Sequence, residues 1–224
     1  MSRVRKVVWG AAVTLSLAST ALAQGMMMHR PHFPGEFNPV VGSGAEYQIT
    51  TKDGGAHHWA VAVVGKESVE GAEGYWLEMR TEGSEGKMVM KQLLVPHPGG
   101  TPEAKRMIVQ APGRPPMEMP TGMMAMGMRR GRERPQEAEH GLGEKVGSES
   151  VTVPAGTFET EHYRYTSQQG ETSDAWISTK VAPYGLIKST SPDTTMVLEK
   201  VLENETSQVQ GEPQKMEFPG MPHR

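Results

Sequence analysis

Methionine is the residue type in this chain with the most unusual chemical potential: 17 of 224 residues. Met117, Met119, Met123, Met124, Met126 and Met128 follow one another in a single stretch interleaved with Pro120, Gly122 and Gly127. Thioethers are soft donors that need no deprotonation, so such a cluster suits Cu(I), and His29 and His32 could add imidazole to the same ion or to Cu(II). The same flexible, polarisable side chains also adapt to acyl chains or apolar peptides. A third reading is plain packing of the segment onto a sheet. These alternatives stay open at the level of sequence.

Other chemistry is sparse. With no Cys there is no thiol nucleophile, disulfide framework, Cys-based zinc site or iron–sulfur cluster. No Gly-x-Ser-x-Gly elbow, His-Glu-x-x-His helix or phosphate-cradling glycine loop occurs, so a protein without enzymatic activity is expected, with copper the sole candidate cofactor. His57 and His58 are neighbours at a strand start and point to opposite faces, which keeps them from sharing one ligand. His162, between Glu161 and Tyr163, reads as an exposed strand residue and not a base. Arg129, Arg130, Arg132 and Arg134 could dock an anionic head group, but Gly131 and Glu133 interrupt the run, as in a solvated linker.

The elements that must position these residues begin after an N-terminal address. Arg3, Arg5 and Lys6 precede an apolar stretch from Val7 through Leu17, and Ala21-Leu22-Ala23 supplies small residues for a peptidase. Residues 1–23 therefore read as a secretory signal peptide cleaved after Ala23, and the mature chain is expected in the periplasm or beyond, with no transmembrane segment left after cleavage. The full sequence carries a net charge of −3, and the signal removes three bases and no acid, so the mature chain is more acidic still. Nucleic acid is an unfavourable partner for such a chain. A peripheral contact with the envelope remains open.

Residues 24–44 are too rich in Pro and Gly for a regular element and read as a flexible arm. From residue 45 to 203 the pattern changes to short runs of β-branched and aromatic residues separated by Gly-rich turns, the mark of an antiparallel meander. Ten runs are visible: 46–51, 58–66, 75–81, 87–95, 105–110, 146–153, 158–165, 173–179, 186–191 and 195–203. Residues 111–143 form a loose Met/Pro/Gly-rich insertion, and 204–224, with Pro213, Pro219 and Pro222, a loose tail. Pro154-Ala155-Gly156 reads as a tight hairpin turn in which Gly accepts positive φ. In 75–81, Tyr75, Leu77 and Met79 share one face while Glu78 and Arg80 take the other, expected to be solvated; Met88 and Met90 alternate with Lys91 in the same way. The 58–66 run is apolar on both sides and should lie centrally. The fold class is therefore all-β, with about nine or ten strands and one strongly curved sheet or two packed ones.

Val151-Thr152-Val153-Pro154-Ala155-Gly156-Thr157-Phe158, then Asp174-Ala175-Trp176-Ile177-Ser178, then Val181-Ala182-Pro183-Tyr184-Gly185-Leu186-Ile187-Lys188, resembles a pattern of exported bacterial domains of unknown function. These are similar to the lipoprotein-carrier superfamily of LolA and LolB type, and the resemblance covers roughly residues 45–203. It implies a half-open barrel, a single curved antiparallel sheet around an acyl-chain cavity, and brings no catalytic residues. The carriers' helical lid is not evident, and a Pro/Gly/Met segment stands where a lid would be. The expected function is binding of a hydrophobic ligand, acyl chain or apolar partner on the concave face, lined by Tyr75, Leu77, Met79, Met88, Met90, Phe158 and Trp176. Copper handling and a structural envelope role with a filled core are the alternatives.

Overall fold

The computed structural model describes residues 35–83, 86–97, 101–119, 143–167 and 170–215. Twelve strands build one curved sheet: β1 (Gly44–Thr51), β2 (Ala56–Val69), β3 (Ala72–Gly83), β4 (Gly86–Val95), β5 (Glu103–Gln110), β6 (Met117–Met119), β7 (Glu144–Val153), β8 (Gly156–Thr166), β9 (Thr172–Ile177), β10 (Leu186–Thr190), β11 (Thr194–Leu202) and β12 (Gln214–Lys215). Their order is β12-β6-β5-β4-β3-β2-β1-β11-β10-β9-β8-β7. Neighbours run antiparallel except β12 beside β6. All ten expected strands are present. The two additional ones, β6 and β12, have three and two residues and carry no periodicity long enough to read.

Local turn chemistry explains the long hairpins. Val69 pairs with Ala72 across a two-residue loop in which Glu70 and Gly71 have φ of 52° and 82°. Positive φ at both loop positions matches the strands' right-handed twist, so β2 and β3 run to the tip. Both strands therefore run past the expected limits of 58–66 and 75–81. At the other hairpin Val153 pairs with Gly156, whose φ is 130°, as Pro154-Ala155-Gly156 requires.

One face of the sheet holds the main core. Tyr47 and Trp59, cross-strand partners on β1 and β2, stack with centroids 5.9 Å apart. Around them pack Val61, Val63, Leu77, Ile187, Met196 and Leu198. The β7–β8 turn folds back onto β11, where the Ala155 N–H donates to the Leu198 carbonyl at 3.4 Å, and Val153 joins the same cluster. β2 lies inside the sheet as expected, with Val61, Ala62 and Val63 all fully buried.

The opposite face of β3 is not solvated, which corrects the expectation from alternation. Trp76, Leu93 and Ile108 form a second apolar cluster with Val64, Val69 and Val209, and Glu78 and Arg80 are buried beside it. Their cover is the segment after β11, expected to be loose. Asn204, at φ 56°, turns the chain out of the strand, a conformation Asn tolerates better than most residues. Arg80 then donates to Glu205 at 2.6 Å, Ser207 Oγ to Glu78 at 2.7 Å, and the Gln208 N–H to both Glu78 oxygens at 3.0 and 3.1 Å. The Gln210 N–H donates to Gln110 Oε1 at 2.9 Å, and β12 follows. Alternation reports which residues face which way, not what later segment covers them. The expected arm is likewise partly docked: Phe37 packs on the core and the Asn38 N–H donates to the Pro183 carbonyl at 2.8 Å.

Burial raises the Tyr47 phenol far above its ordinary range, and its hydroxyl donates to the Leu186 carbonyl at 3.0 Å. Burial also pushes Tyr184 up to about 12. A phenol with a raised folded pKa binds its proton more tightly folded than unfolded, so its contribution is whole below pH about 10 and drains away as pH climbs toward the folded value. The urea midpoint is expected to stay flat from pH 7 to 9 and fall above pH 10. Tyr47→Phe should cost about 1 kcal/mol at pH 7 through the lost hydrogen bond and give a shallower alkaline fall.

Candidate functional site

Strand register decides which side chains meet. Met79 on β3 pairs with Met90 on β4, and Thr81 with Met88. Met90 pairs with Val109 on β5, and Gln92 with Met107. Met107 pairs with Met119 on β6, and Val109 with Met117. Directly paired residues share a face, as do residues two apart on one strand. Met79, Met88, Met90, Met107, Met117 and Met119 therefore lie on one face of four consecutive strands, continuous with the main core through Met79. All six are half-buried.

This arrangement joins two sets of residues that the sequence kept apart. Met79, Met88 and Met90 were read as ligand-lining; Met117 and Met119 belonged to the metal cluster. Met107 was singled out by neither reading: Met107, Ile108 and Val109 form an unbroken apolar run, so the strand's own sequence does not mark the face that Met107 takes. Met123, Met124, Met126, Met128, His29, His32 and the Arg129–Arg134 run lie outside the described residues.

The remaining lining candidates have different surroundings. Leu77 is 2% exposed inside the core, with Tyr75 and Phe158 partly buried against it. Trp176 is also partly buried, but its indole N–H donates to Glu149 Oε1 at 2.6 Å and its ring stacks on His162 at 4.5 Å. His162 is not the exposed strand residue expected: only 13% of its side chain is accessible, with Nε2 2.6 Å from Asp174 and Nδ1 3.4 Å from Glu149. Burial alone would raise the Asp174 carboxyl, but the hydrogen bonds from His162 and Arg164 outweigh it and hold it below its usual range. The strand register that puts His162 beside Trp176 makes the stack, and a single strand's sequence does not contain that information.

Hollows indent the described surface, and two of them lie away from the methionines. One, about 430 Å³, lies along the β2–β3 hairpin tip from Lys66 to Glu73; the other, about 270 Å³, is lined by Lys87, Val89, Gln110 to Gly113, Gln208 and Gln210. Neither involves a methionine. The methionine surface is a face of half-buried thioethers, suited to soft or apolar contact, and it offers no charged group from the six positions themselves.

No family model matches the chain, and no curated protein matches it either. Among solved structures, 76% of the chain aligns with 99% of a presumed lipoprotein from Parabacteroides distasonis, at 12% identity and a TM-score of 0.39. A further 75% alignment covers all of a presumed exported protein with a YmcC-like fold from Bacteroides fragilis, at 14% identity and a TM-score of 0.39.

Proposed function

We propose that this chain is an exported, non-enzymatic binding protein whose methionine face on β3–β6 takes an apolar partner such as an acyl chain. Export rests on the N-terminal basic, apolar and Ala-x-Ala segments. The observation that carries binding is the row of six half-buried thioethers in register across four strands. A soluble surface gains nothing from exposing so many unbranched apolar side chains in one place, and Met can re-pack around ligands of differing shape. The centre of the same sheet face is filled by core side chains, so the binding surface is the outer half and not a deep cavity.

A fluorescent polyene fatty acid titrated into the purified protein tests this. Saturable binding is expected, retained within about threefold when Met79, Met90, Met107 and Met119 become Leu, which keeps volume and apolarity. Met90→Lys with Met107→Lys should weaken it by tenfold or more, since about 1.4 kcal/mol is a factor of ten and each charge costs more than that to bury against an acyl chain. Equal affinity in the Lys variant, or no saturation in the wild type, overturns the reading.

A second reading of the same face is favoured by a separate observation. Met79 faces Met90 directly and Met107 faces Met119 directly, while Met90 and Met107 are diagonal neighbours through Val109. Directly opposed side chains have Cβ atoms about 4.5–5.5 Å apart, and diagonal ones somewhat more. Three thioethers can therefore converge on one Cu(I), the ion such donors select.

A further inference from the structure

On the face opposite Tyr47, three adjacent strands bring Glu46 (β1), His58 (β2) and Glu199 (β11) together. We propose that these three side chains form a binding site for a divalent transition-metal cation of the Zn(II) class. One ligating atom from each lies within 4.8 Å of the other two. This site is separate from the methionine face and does not depend on the reading of that face.

The backbone builds the convergence. Gln48 pairs with His58 and Glu46 with Ala60, so Glu46 and His58 stand two residues apart on the same face of the β1–β2 ladder. β11 is bulged here: Tyr47 pairs with Leu198 and Glu46 with Lys200, leaving Glu199 as the extra residue. A bulge of this kind re-aims one side chain and shifts the pairing across it by one residue. It carries Glu199 to His58, whose Nδ1 lies 2.8 Å from Glu199 Oε2. Leu198, one residue earlier, remains fully buried in the core, so the scaffold under the site is rigid.

The donor set suits the ion. One imidazole and two carboxylates are ordinary Zn(II) ligands, at about 2.0–2.2 Å, and a tetrahedral set at that radius has ligand atoms roughly 3.4 Å apart. The present spread closes to that by side-chain rotation, since His58 is 51% exposed and Glu46 and Glu199 are 25% and 27% exposed. Three protein ligands leave the fourth position to water. His58 would bind through Nδ1 as the Nε2–H tautomer, its Nδ1 contact with Glu199 giving way to the ion. The groups around the site carry two negative charges and one positive, the Lys200 ammonium at 3.5 Å from both Glu46 oxygens. Lys200 therefore occupies part of the cation's electrostatic role and competes with it.

The protein supplies its own control. His162 also meets two carboxylates, but Asp174 approaches Nε2 and Glu149 approaches Nδ1. Those nitrogens flank Cε1 and their in-plane bonding directions diverge, so the two acids cannot close on one ion with the ring. Each place has one imidazole and two carboxylates; only the first has convergent geometry.

The test is a Co(II) titration of the purified protein, followed by its visible absorption and reversed by Zn(II). One equivalent is expected to bind at this site. Glu46→Gln, His58→Gln and Glu199→Gln should each weaken it by about tenfold or more, as losing even a supporting group near a metal commonly does. Glu149→Gln and His162→Gln should leave it unchanged, and Lys200→Met should tighten it several-fold. All these side chains are at least partly exposed, and retention of the thermal transition without metal establishes that each variant is folded. Added Zn(II) should raise that transition in the wild type and not in Glu199→Gln. Unaltered affinity in the first three variants, or no saturable uptake by the wild type, overturns the proposal.

Discussion

Glu78→Ala is expected to lower stability by about 3–5 kcal/mol, the usual cost of removing one partner from a buried charge pair. Glu78 is fully buried in the middle of β3, where a carboxylate survives only if its oxygens are satisfied. Ser207 Oγ and the Gln208 N–H do this, and Arg80 Nε, 3.9 Å away, balances the charge. That Nε is buried and makes no hydrogen bond, so the ion pair with Glu78 is its compensation. Lys91 adds a second cation, lying 4.6 Å over the Trp76 ring and donating to Ser207 Oγ at 3.3 Å; burial lowers its pKa despite the nearby acids. Ala at 78 removes the acceptor from both donors and the counter-charge from Arg80 at once. Gln at 78 keeps an acceptor oxygen and should cost less, about 1–3 kcal/mol.

The partner experiment ends the chain at Asn204. Without Glu205 to Val209 the Trp76, Leu93 and Ile108 cluster meets water, and a large fall in the urea midpoint is expected. In that shortened chain Glu78 is solvated whatever its neighbours, so Glu78→Ala should then cost no more than about 0.5 kcal/mol, as at other surface positions. The coupling between the two changes measures what the segment gives the buried carboxylate. An equal cost of Glu78→Ala in both chains would show that the segment is not what Glu78 holds.

How far the sequence reaches is visible in this same strand. Alternation correctly divides Tyr75, Leu77 and Met79 from Trp76, Glu78 and Arg80, because a period of two is a property of the extended backbone alone. It assigned water to the second face because Glu and Arg stood there. Their burial depends on residues about 130 positions later in the chain, which arrive by a turn at Asn204 that no local pattern announces. The Pro154-Ala155-Gly156 hairpin was legible for the opposite reason: its geometry is set by the three residues themselves. The Glu46, His58 and Glu199 group was not legible at all. It requires a bulge in β11 and the pairing of three strands, and His58 by itself announces neither. The methionine face was half legible: β3 and β4 declared their Met positions, whereas Met107 went unmarked, β6 was too short to read, and the register that unites the four strands lies between them.

Cu(I) binding is the measurement with the widest expected range on that face. Under anaerobic conditions, with a colorimetric Cu(I) chelator as competitor, changing Met79, Met90, Met107 and Met119 together to Leu is expected to lower affinity by a hundredfold or more, about 2.7 kcal/mol, if copper is held by the sheet. Leu has no donor atom yet matches Met in volume, so each replacement should cost less than about 1.5 kcal/mol of stability and leave the fold in place. The comparison variant changes Met123, Met124, Met126 and Met128 to Leu and leaves the sheet untouched. Donors on paired strands are already ordered, so an ion gains their attraction there at little cost in side-chain ordering. Loss confined to the first variant assigns copper to the four strands. Loss confined to the second assigns it to the segment between β6 and β7, and the sheet methionines are then left with apolar contact alone. Because the first variant keeps its fatty-acid binding under the apolar reading and loses its copper under the other, one protein preparation separates the two functions.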